Sequence, residues 1–255
     1  MTEDEIILTH ILQCRSIDLV LNKAALTHFQ QEQFEKFKHR RESGEPLQYI
    51  LGACNFMGLE LAVNPSVLIP RPETEQLVDA ALKIFKSGRA LDLGTGSGNI
   101  AIALAKFVSK SRIISIDISA KAMEVAKTNA KRHGVEDRIE FIHKDLKDYS
   151  SDFQFDLVIS NPPYIPTDQL SVLPEDVQKE PAIALDGGRD GLNFYRIIIK
   201  YTPHLLRGGA YLMMEFGDGQ AEAIKKLIEA QEAFSSIEII QDLAGRDRII
   251  KAIRS

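Results

Sequence analysis

Beyond residue 70, the sequence alternates between short apolar runs typical of strands and amphipathic stretches typical of helices. The spacing predicts strands at residues 90–93, 112–117, 139–143 and 155–160. Helical periodicity occupies residues 77–85 and 100–108, and Ser119 is suited to begin a further helix. Parallel neighbours in a sheet need a crossover connection, which is usually a helix. This order therefore predicts an α/β fold in which helices cover both faces of a parallel sheet.

The last third of the chain continues this alternation after a longer irregular stretch. Helices are predicted at residues 193–206 and 221–229, and strands at residues 210–215, 237–240 and 249–253. The polar segment Gly245-Arg246-Asp247-Arg248 is a predicted turn between the last two strands.

The first 50 or so residues have the pattern of short helices instead. Apolar residues share one face of the first helix, namely Ile7, Leu8, Ile11 and Leu12. Thr27 and Gln30 form a capping-box pattern at the start of a second amphipathic stretch. After Gly58, apolar residues alternate with others at Leu59, Leu61 and Val63. The sequence thus predicts a small helical body that a β-hairpin links to the sheet domain.

Composition excludes several classes of protein. The chain has 31 Lys and Arg against 36 Asp and Glu, a net charge of -5, which disfavours a surface built to hold nucleic acid. No apolar run approaches the roughly 20 residues of a membrane-spanning helix. The acidic start is unlike a secretory signal, so a cytoplasmic protein is expected. Neither Cys14 nor Cys54 has metal-ligand spacing, and no metal is expected.

A glycine-rich loop follows the first strand of the sheet domain, where open α/β sheets bind their ligands. Its residues are Gly94, Thr95, Gly96, Ser97 and Gly98. The spacing completes neither the dinucleotide fingerprint nor a phosphate loop. No lysine or arginine lies in the loop and Asp92 precedes it, which suits a ligand with an ammonium or sulfonium group. We therefore expect S-adenosylmethionine, whose amino-acid end the backbone can approach at glycines.

Acidic residues end the next two strands. A carboxylate at Asp117, the last residue of the second strand, can accept hydrogen bonds from two ribose hydroxyls. Asp145 follows the third strand, where it could reach the adenine amino group while Leu146 packs on the base. Asp145 taken alone is equally well explained as a turn or cap residue.

The segment Asn161-Pro162-Pro163-Tyr164 follows the fourth strand and faces the same crevice. The prolines lack N–H groups and have restricted backbones, so this edge is rigid and presents acceptors. The Asn161 side-chain oxygen and the Pro162 carbonyl can together accept both hydrogens of a planar NH2 group. Tyr164 would offer a ring face to that group. These residues predict a pocket for the nitrogen that receives a methyl group.

Amide and exocyclic amine nitrogens are weak nucleophiles because their lone pairs are delocalised. Acceptors that favour a pyramidal nitrogen help the transition state more than the ground state. Alignment of nitrogen, methyl carbon and sulfur supplies much of the remaining acceleration. The pocket therefore needs no dedicated strong base before methyl transfer.

At this point the sequence strongly resembles the bacterial release factor glutamine methyltransferases, the PrmC/HemK family. The glycine loop and Asn161 to Tyr164 are typical of a broad group of nitrogen methyltransferases. Further matching stretches restrict the resemblance to this one family. These are residues 46–52, 67–75, Glu180-Pro181, Asp190-Gly191-Leu192 and residues 242–248.

The resemblance implies a seven-stranded, Rossmann-like class I methyltransferase domain at residues 70–255. A helical substrate-recognition domain at residues 1–54 and a β-hairpin linker at residues 55–69 would precede it. The substrate implied is the side-chain amide of the glutamine in the Gly-Gly-Gln motif of peptide-chain release factors. Asn161 would then touch both cofactor and glutamine, and Pro162 to Tyr164 would complete the pocket. Some relatives have an aromatic residue in place of Leu146, so this adenine contact is purely apolar here.

Two other functions remain open. An N-methyltransferase acting on adenine or guanine in nucleic acid would use the same pocket, and base flipping could deliver the amine. The acidic balance of the chain disfavours that alternative. A non-catalytic module that docks to the translation machinery is disfavoured because the glycine loop, Asp117 and Asn161 are all intact.

Overall fold

A computed structural model describes residues 1–21 and 26–255. Among the described residues, the N-terminal part contains the helices α1 (Glu3–Leu12), α2 (Ser16–Leu21), α3 (His28–Glu42) and α4 (Leu47–Leu51). Capping boxes begin α1 at Thr2 and α3 at Thr27, as predicted for Thr27. In each box the side chain satisfies a free backbone N–H of the first turn.

The predicted hairpin consists of β1 (Ala53–Phe56) and β2 (Leu59–Ala62). Its turn uses positive φ angles at Met57 and Gly58. Apolar hairpin residues belong to the principal core of the sheet domain, namely Phe56, Leu59 and Leu61. The side chain of Asn129 hydrogen-bonds to both the N–H and the carbonyl of Ala62. The hairpin is therefore packed onto the sheet domain along its length.

The main sheet has seven strands. They are β3 (Gly88–Leu93), β4 (Ser111–Asp117), β5 (Ile139–His143), β6 (Phe155–Ser160), β7 (Leu206–Glu215), β8 (Phe234–Gln241) and β9 (Asp247–Arg254). Their order across the sheet is β5-β4-β3-β6-β7-β9-β8. Neighbours from β5 to β7 are parallel, and β9 is antiparallel to both β7 and β8. This confirms the predicted seven-stranded α/β fold with a mostly parallel sheet.

Helices cover both faces of the sheet, as predicted. The helices of the sheet domain are α5 (Pro72–Ile84), α6 (Asn99–Phe107), α7 (Ala120–Arg132), α8 (Glu175–Gln178), α9 (Asn193–Tyr201) and α10 (Ala221–Glu229). Residues of α5, α6 and α7 fill the core on one face, and residues of α9 and α10 fill the core on the other. β3 pairs with β4 on one side and with β6 on the other. The connections that follow β3 and β5 therefore run in opposite directions from the carboxyl end of β3. Such a switch point leaves a crevice between the connecting loops.

Two predicted boundaries in the last third of the chain were wrong. The last strand begins at Asp247, inside the predicted turn. The helix predicted at residues 193–206 ends at Tyr201, and a 3-10 turn from Thr202 to His204 follows it. Pro203 cannot donate a backbone hydrogen bond and is tolerated only at the start of a helical turn. The following strand accordingly begins at Leu206, four residues before the prediction.

Among residues 1–21 and 26–255, no helix is both long enough and apolar enough to cross a membrane.

Candidate active site

A cavity of about 290 Å³ lies at the carboxyl ends of β3, β4 and β6. Most of the predicted site residues line it: Gly94, Thr95, Gly96, Ser97, Asp117, Asp145, Leu146, Asn161, Pro162 and Pro163. The structure thus brings together residues from four loops that are far apart in sequence. Two predicted residues, Gly98 and Tyr164, lie outside the lining.

The three glycines of the loop have different surroundings. All have positive φ, at 76° for Gly94, 54° for Gly96 and 84° for Gly98. A Cβ atom on Gly94 or Gly96 would have no atom closer than 4.0 Å, so their open sides face free space. A Cβ on Gly98 would lie 2.9 Å from Cδ1 of Ile102 and 3.1 Å from Cβ of Ala126. Gly98 therefore allows close helix packing, whereas Gly94 and Gly96 leave room for a ligand.

Asp117 connects the glycine loop to the end of β4. Its Oδ2 accepts a hydrogen bond from the Gly96 N–H at 2.9 Å, and its Oδ1 accepts one from the Ser119 N–H at 2.8 Å. Burial raises the pKa of Asp117, and these backbone donors oppose the rise. Each oxygen keeps a second lone pair, so the carboxylate can still accept hydrogen bonds from a ligand.

Asp145 and Leu146 lie at the neighbouring strand end. Asp145 caps the short 3-10 turn by accepting a hydrogen bond from the Lys147 N–H at 2.9 Å. It is therefore a turn residue as well as a cavity residue. Leu146 is half-buried and packs on the apolar core of the α9 face, so it presents an apolar wall to the cavity.

A chain of hydrogen bonds determines the orientation of the Asn161 amide. Its Nδ2 donates to Oγ1 of Thr74 at 2.9 Å, and Oγ1 of Thr74 donates to Oε2 of Glu215 at 2.7 Å. Among the described residues, Oδ1 of Asn161 accepts no hydrogen bond. The acceptor that the sequence analysis assigns to a substrate amide is thus left free. Neither Thr74 nor Glu215 was among the predicted site residues.

The ring of Tyr164 lies behind the cavity wall. A Cβ atom on Gly217 would lie 2.9 Å from Cδ2 of Tyr164, and Nε2 of Gln220 donates to the Tyr164 carbonyl at 2.9 Å. Burial raises the pKa of Tyr164 to about 12. Pro162 and Pro163 line the cavity directly. The Tyr164 side chain thus packs closely against Gly217 and does not line the cavity, and the predicted contact of its ring with the substrate remains a prediction.

Asp92 lies beneath the glycine loop and does not line the cavity. It is fully buried, and its Oδ2 accepts a hydrogen bond from the Ser115 hydroxyl at 2.6 Å. The hydroxyls of Ser115 and Thr95 are 2.6 Å apart. Burial raises the pKa of Asp92 to about 7. Asp92 therefore cannot contact a cationic ligand in the cavity directly, and it is linked to the cavity wall only through Ser115 and Thr95.

Sequence reasoning did not assign the residues that close the other side of the cavity. These are Ile183, Ala184, Asn193, Phe194 and Ile197. Arg71 also lines the cavity and forms an ion pair with Glu180, whose Oε2 accepts a hydrogen bond from the Ile69 N–H at 2.9 Å. The helical pattern after residue 192 predicted α9 but not which of its faces meets the cavity.

Two family models match the chain. Residues 2–52 match the family described as PrmC N-terminal domain, and residues 73–179 match the one described as Methyltransferase small domain. Among solved structures, a methyltransferase from Pyrococcus furiosus superposes with a TM-score of 0.59 at 17% identity, covering 89% of this chain and 98% of that one. A ribosomal protein L11 methylase from Lactobacillus delbrueckii subsp. bulgaricus has a TM-score of 0.55 at 20% identity, covering 80% and 98%. At these identities the superpositions show the fold alone.

Similar sequences carry more specific information. A release factor glutamine methyltransferase from Moorella thermoacetica is 42% identical over 218 residues, covering 84% of this chain and 77% of the relative. The protein of that name from Geobacter sulfurreducens is 45% identical, covering 83% and 74%. The one from Bacillus cereus is 37% identical and covers 97% and 90%. With this similarity along both the helical part and the sheet domain, the chain belongs to the family of release factor glutamine methyltransferases.

Proposed function

We propose that this protein transfers a methyl group from S-adenosylmethionine to the side-chain amide nitrogen, N5, of the glutamine in the Gly-Gly-Gln motif of a peptide-chain release factor. The observation that carries the proposal is the free Oδ1 of Asn161 in a cavity that begins at the glycine loop. Membership of the family supports the reaction and the substrate. A cytoplasmic location fits a substrate that belongs to the translation machinery.

The residues present fit S-adenosylmethionine. Gly94 and Gly96 leave space where a side chain would otherwise stand, Thr95 lies between them, and Ser97 follows Gly96 on the same wall. Asp117 keeps two lone pairs for ribose hydroxyls. Asp145 and Leu146 would border the adenine with one polar and one apolar group. When bound, the cofactor supplies an electrophilic methyl group on a sulfonium.

Asn161 and Pro162 would orient the glutamine amide. The Asn161 Oδ1 and the Pro162 carbonyl accept one amide hydrogen each, so the nitrogen lone pair is aimed at the methyl donor. Both acceptors favour a nitrogen that has begun to pyramidalise, and they therefore stabilise the transition state more than the bound substrate. Pro163 adds rigidity and a wall to the pocket. The nitrogen loses its proton after methyl transfer, so no strong base needs to act on it beforehand.

Division of labour follows from the two-part architecture. Residues 1–54 would recognise the body of the release factor, and residues 70–255 would carry out the reaction. Residues 55–69 would link these two domains. A single glutamine side chain offers too little surface for specificity. Binding elsewhere on the factor raises the effective concentration of its loop at Asn161.

Methylation with labelled S-adenosylmethionine tests the proposal. We expect label on an intact release factor, none on its Gln-to-Ala variant at the Gly-Gly-Gln motif, and none on total RNA. Label on RNA alone would favour the nucleic-acid alternative instead. In the same assay, Asn161→Ala should lose single-turnover methylation far more than cofactor affinity. A rate within a few-fold of the parent would place the pocket elsewhere.

A further inference from the structure

We infer that Thr74 and Glu215 are positioning residues that select which end of the Asn161 amide faces the substrate. The inference rests on the proposed function, because it assumes that the Asn161 Oδ1 accepts a hydrogen from the glutamine amide. The three residues lie far apart in the sequence and belong to different elements. Thr74 lies in the first turn of α5, Glu215 ends β7, and Asn161 follows β6.

The direction of the hydrogen bonds carries the argument. A threonine hydroxyl has one hydrogen to donate. In the structure that hydrogen goes to Oε2 of Glu215, so Oγ1 of Thr74 can only accept from its other neighbour. An asparagine presents its NH2 group to an acceptor, and Nδ2 of Asn161 does so at 2.9 Å. Its Oδ1 must then point away from Thr74.

Reversal of this chain would make the pocket unsuitable. If Thr74 donated to Asn161 instead, the amide would rotate and present its NH2 group toward the substrate. Two NH2 groups would then face one another, and neither has an acceptor to offer. The acceptor at Glu215 is what prevents this arrangement, so a residue separated from the substrate by Thr74 and Asn161 decides whether the pocket accepts an amide.

Burial makes the network rigid and costly. Thr74 and Glu215 are each 1% exposed, and Oε1 of Glu215 has no hydrogen-bond partner among the described residues. A buried carboxyl group costs free energy that an apolar side chain of similar size would not. A purely structural role in the core would be filled better by apolar residues. Orientation of Asn161 accounts for the presence of the acid.

Several titratable and charged groups surround Glu215. Burial is the main cause that raises its pKa to about 7, and Glu73 of α5 raises it further. The Thr74 hydroxyl, Arg248 of β9 and Arg71 oppose the rise. Two tyrosines also face Glu215: Tyr164 after β6, and Tyr195 of α9, whose hydroxyl donates to the Glu215 carbonyl. A protonated Glu215 can donate to Thr74, which would permit the reversed chain.

Thr74→Val tests the relay, because valine keeps the shape of threonine and replaces its hydroxyl with a methyl group. We expect kcat for release factor methylation to fall about 10- to 100-fold, the range found when the hydrogen-bond partner that orients a metal-binding side chain is removed. The KM for the factor and the affinity for S-adenosylmethionine should change less than threefold. Thr74→Ser keeps the hydroxyl and should restore most of kcat.

Thr202→Val is the matched control. Thr202 is also fully buried and donates its hydroxyl hydrogen to the Ile198 carbonyl at 2.7 Å, but it does not line the cavity. We expect it to lose stability without losing kcat. Equal kcat in Thr74→Val and the parent, or the same loss of kcat in Thr202→Val and Thr74→Val, would overturn the inference.

The pH dependence of the single-turnover rate in Glu215→Gln gives a second readout. A merely structural role of Glu215 would leave this pH dependence unchanged. In the parent, single-turnover rates should fall as the pH drops below about 7, as Glu215 gains a proton. Glu215→Gln cannot titrate and should lose this acidic limb. An acidic limb that persists in the variant would contradict the inference. If instead Asn161→Ala retains activity, the proposed pocket itself fails, whereas loss in Asn161→Ala with none in Thr74→Val refutes only the relay.

Discussion

The Nδ2 atom of Asn129 lies 2.9 Å from the carbonyl oxygen of Ser97 and donates a hydrogen bond to it. The same side chain holds the backbone of Ala62 in β2, through Oδ1 at 2.7 Å and Nδ2 at 2.9 Å. Asn129 is fully buried in α7. One amide therefore anchors both the linking hairpin and the cofactor loop to the same helix.

Asn129→Ala should weaken both attachments. The substitution leaves the buried Ser97 carbonyl and the half-buried backbone groups of Ala62 without partners, which costs about 1–3 kcal/mol of unfolding free energy. Cofactor affinity should also fall, because the loop is less rigidly held. Urea unfolding and calorimetric titration measure the two effects. Thr128→Ala, at the exposed neighbouring position, serves as the control. A stability equal to that of the parent would show that the anchor is dispensable.

Asp117→Ala should weaken the binding of S-adenosylmethionine by about 1–3 kcal/mol, since it removes the acceptor for ribose hydroxyls and leaves the Gly96 N–H unpaired. Calorimetric titration gives the affinity directly. Asp145→Ala at the neighbouring strand end should have a smaller effect, because Asp145 would contact one adenine amino group whereas Asp117 would accept from two ribose hydroxyls. Unchanged affinity in Asp117→Ala would refute the assignment.

Alanine at two glycines should separate folding from binding. Gly98→Ala would push a methyl group against Ile102 and Ala126, so it should lower stability more than Gly96→Ala. Gly96→Ala has free space and incurs only the positive-φ cost of roughly 1–2 kcal/mol. Its cofactor affinity should nevertheless drop, because the methyl group would occupy ligand space. Thermal melting with and without S-adenosylmethionine measures both effects. A larger loss of stability in Gly96→Ala than in Gly98→Ala, or an unchanged stabilisation of Gly96→Ala by the cofactor, would contradict the assignment.

Asp92 should make stability depend on pH. Its folded-state pKa is raised from 3.8 to about 7, so the folded protein holds a proton that the unfolded chain releases. The stabilising contribution is complete below about pH 4 and is lost as the pH rises through about 7, by up to roughly 4 kcal/mol. Glu215 has the same sign in the same range. Urea unfolding at pH 5 and pH 8 gives the free energy of unfolding, which should decline less with pH in Asp92→Asn than in the parent. Equal declines in the two proteins would argue against a buried, titrating Asp92.

A shortened chain should separate cofactor binding from recognition of the factor. A chain starting near residue 65 would lose hairpin residues that belong to the principal core, such as Phe56 and Leu61. Starting at Pro46 removes α1 to α3 and keeps Tyr49, whose hydroxyl donates to the Val67 carbonyl at 2.6 Å. This chain should bind S-adenosylmethionine but methylate an intact release factor with a much lower kcat/KM.

The control for this shortened chain is a short peptide that contains Gly-Gly-Gln. Both the full and the shortened chain should methylate it at similar rates, because the peptide engages only the cavity. Equal kcat/KM on the intact factor would leave the N-terminal helices without a role in recognition.

Local patterns in the sequence determined most of the fold. Hydrophobic periodicity, caps such as Thr27 and Ser119, and the break at glycine-rich turns act over a few residues, and the structure has β5, β6 and α10 at the predicted residues. Strand ends follow directly from these patterns. Because parallel strands present their carboxyl ends at one edge, the sequence also predicted that Gly94, Asp117 and Asn161 would meet.

Tertiary structure alone decided how those side chains are held and where they point. The contacts of Asn161 with Thr74 and of Thr74 with Glu215 span 87 and 141 residues of sequence, and no local pattern encodes such a pairing. Tyr164 follows two cavity prolines in sequence, yet packing against Gly217 turns its ring behind the wall. Side-chain direction depends on the volume and hydrogen-bond partners that distant segments supply, and these exist only once the sheet has brought the segments together.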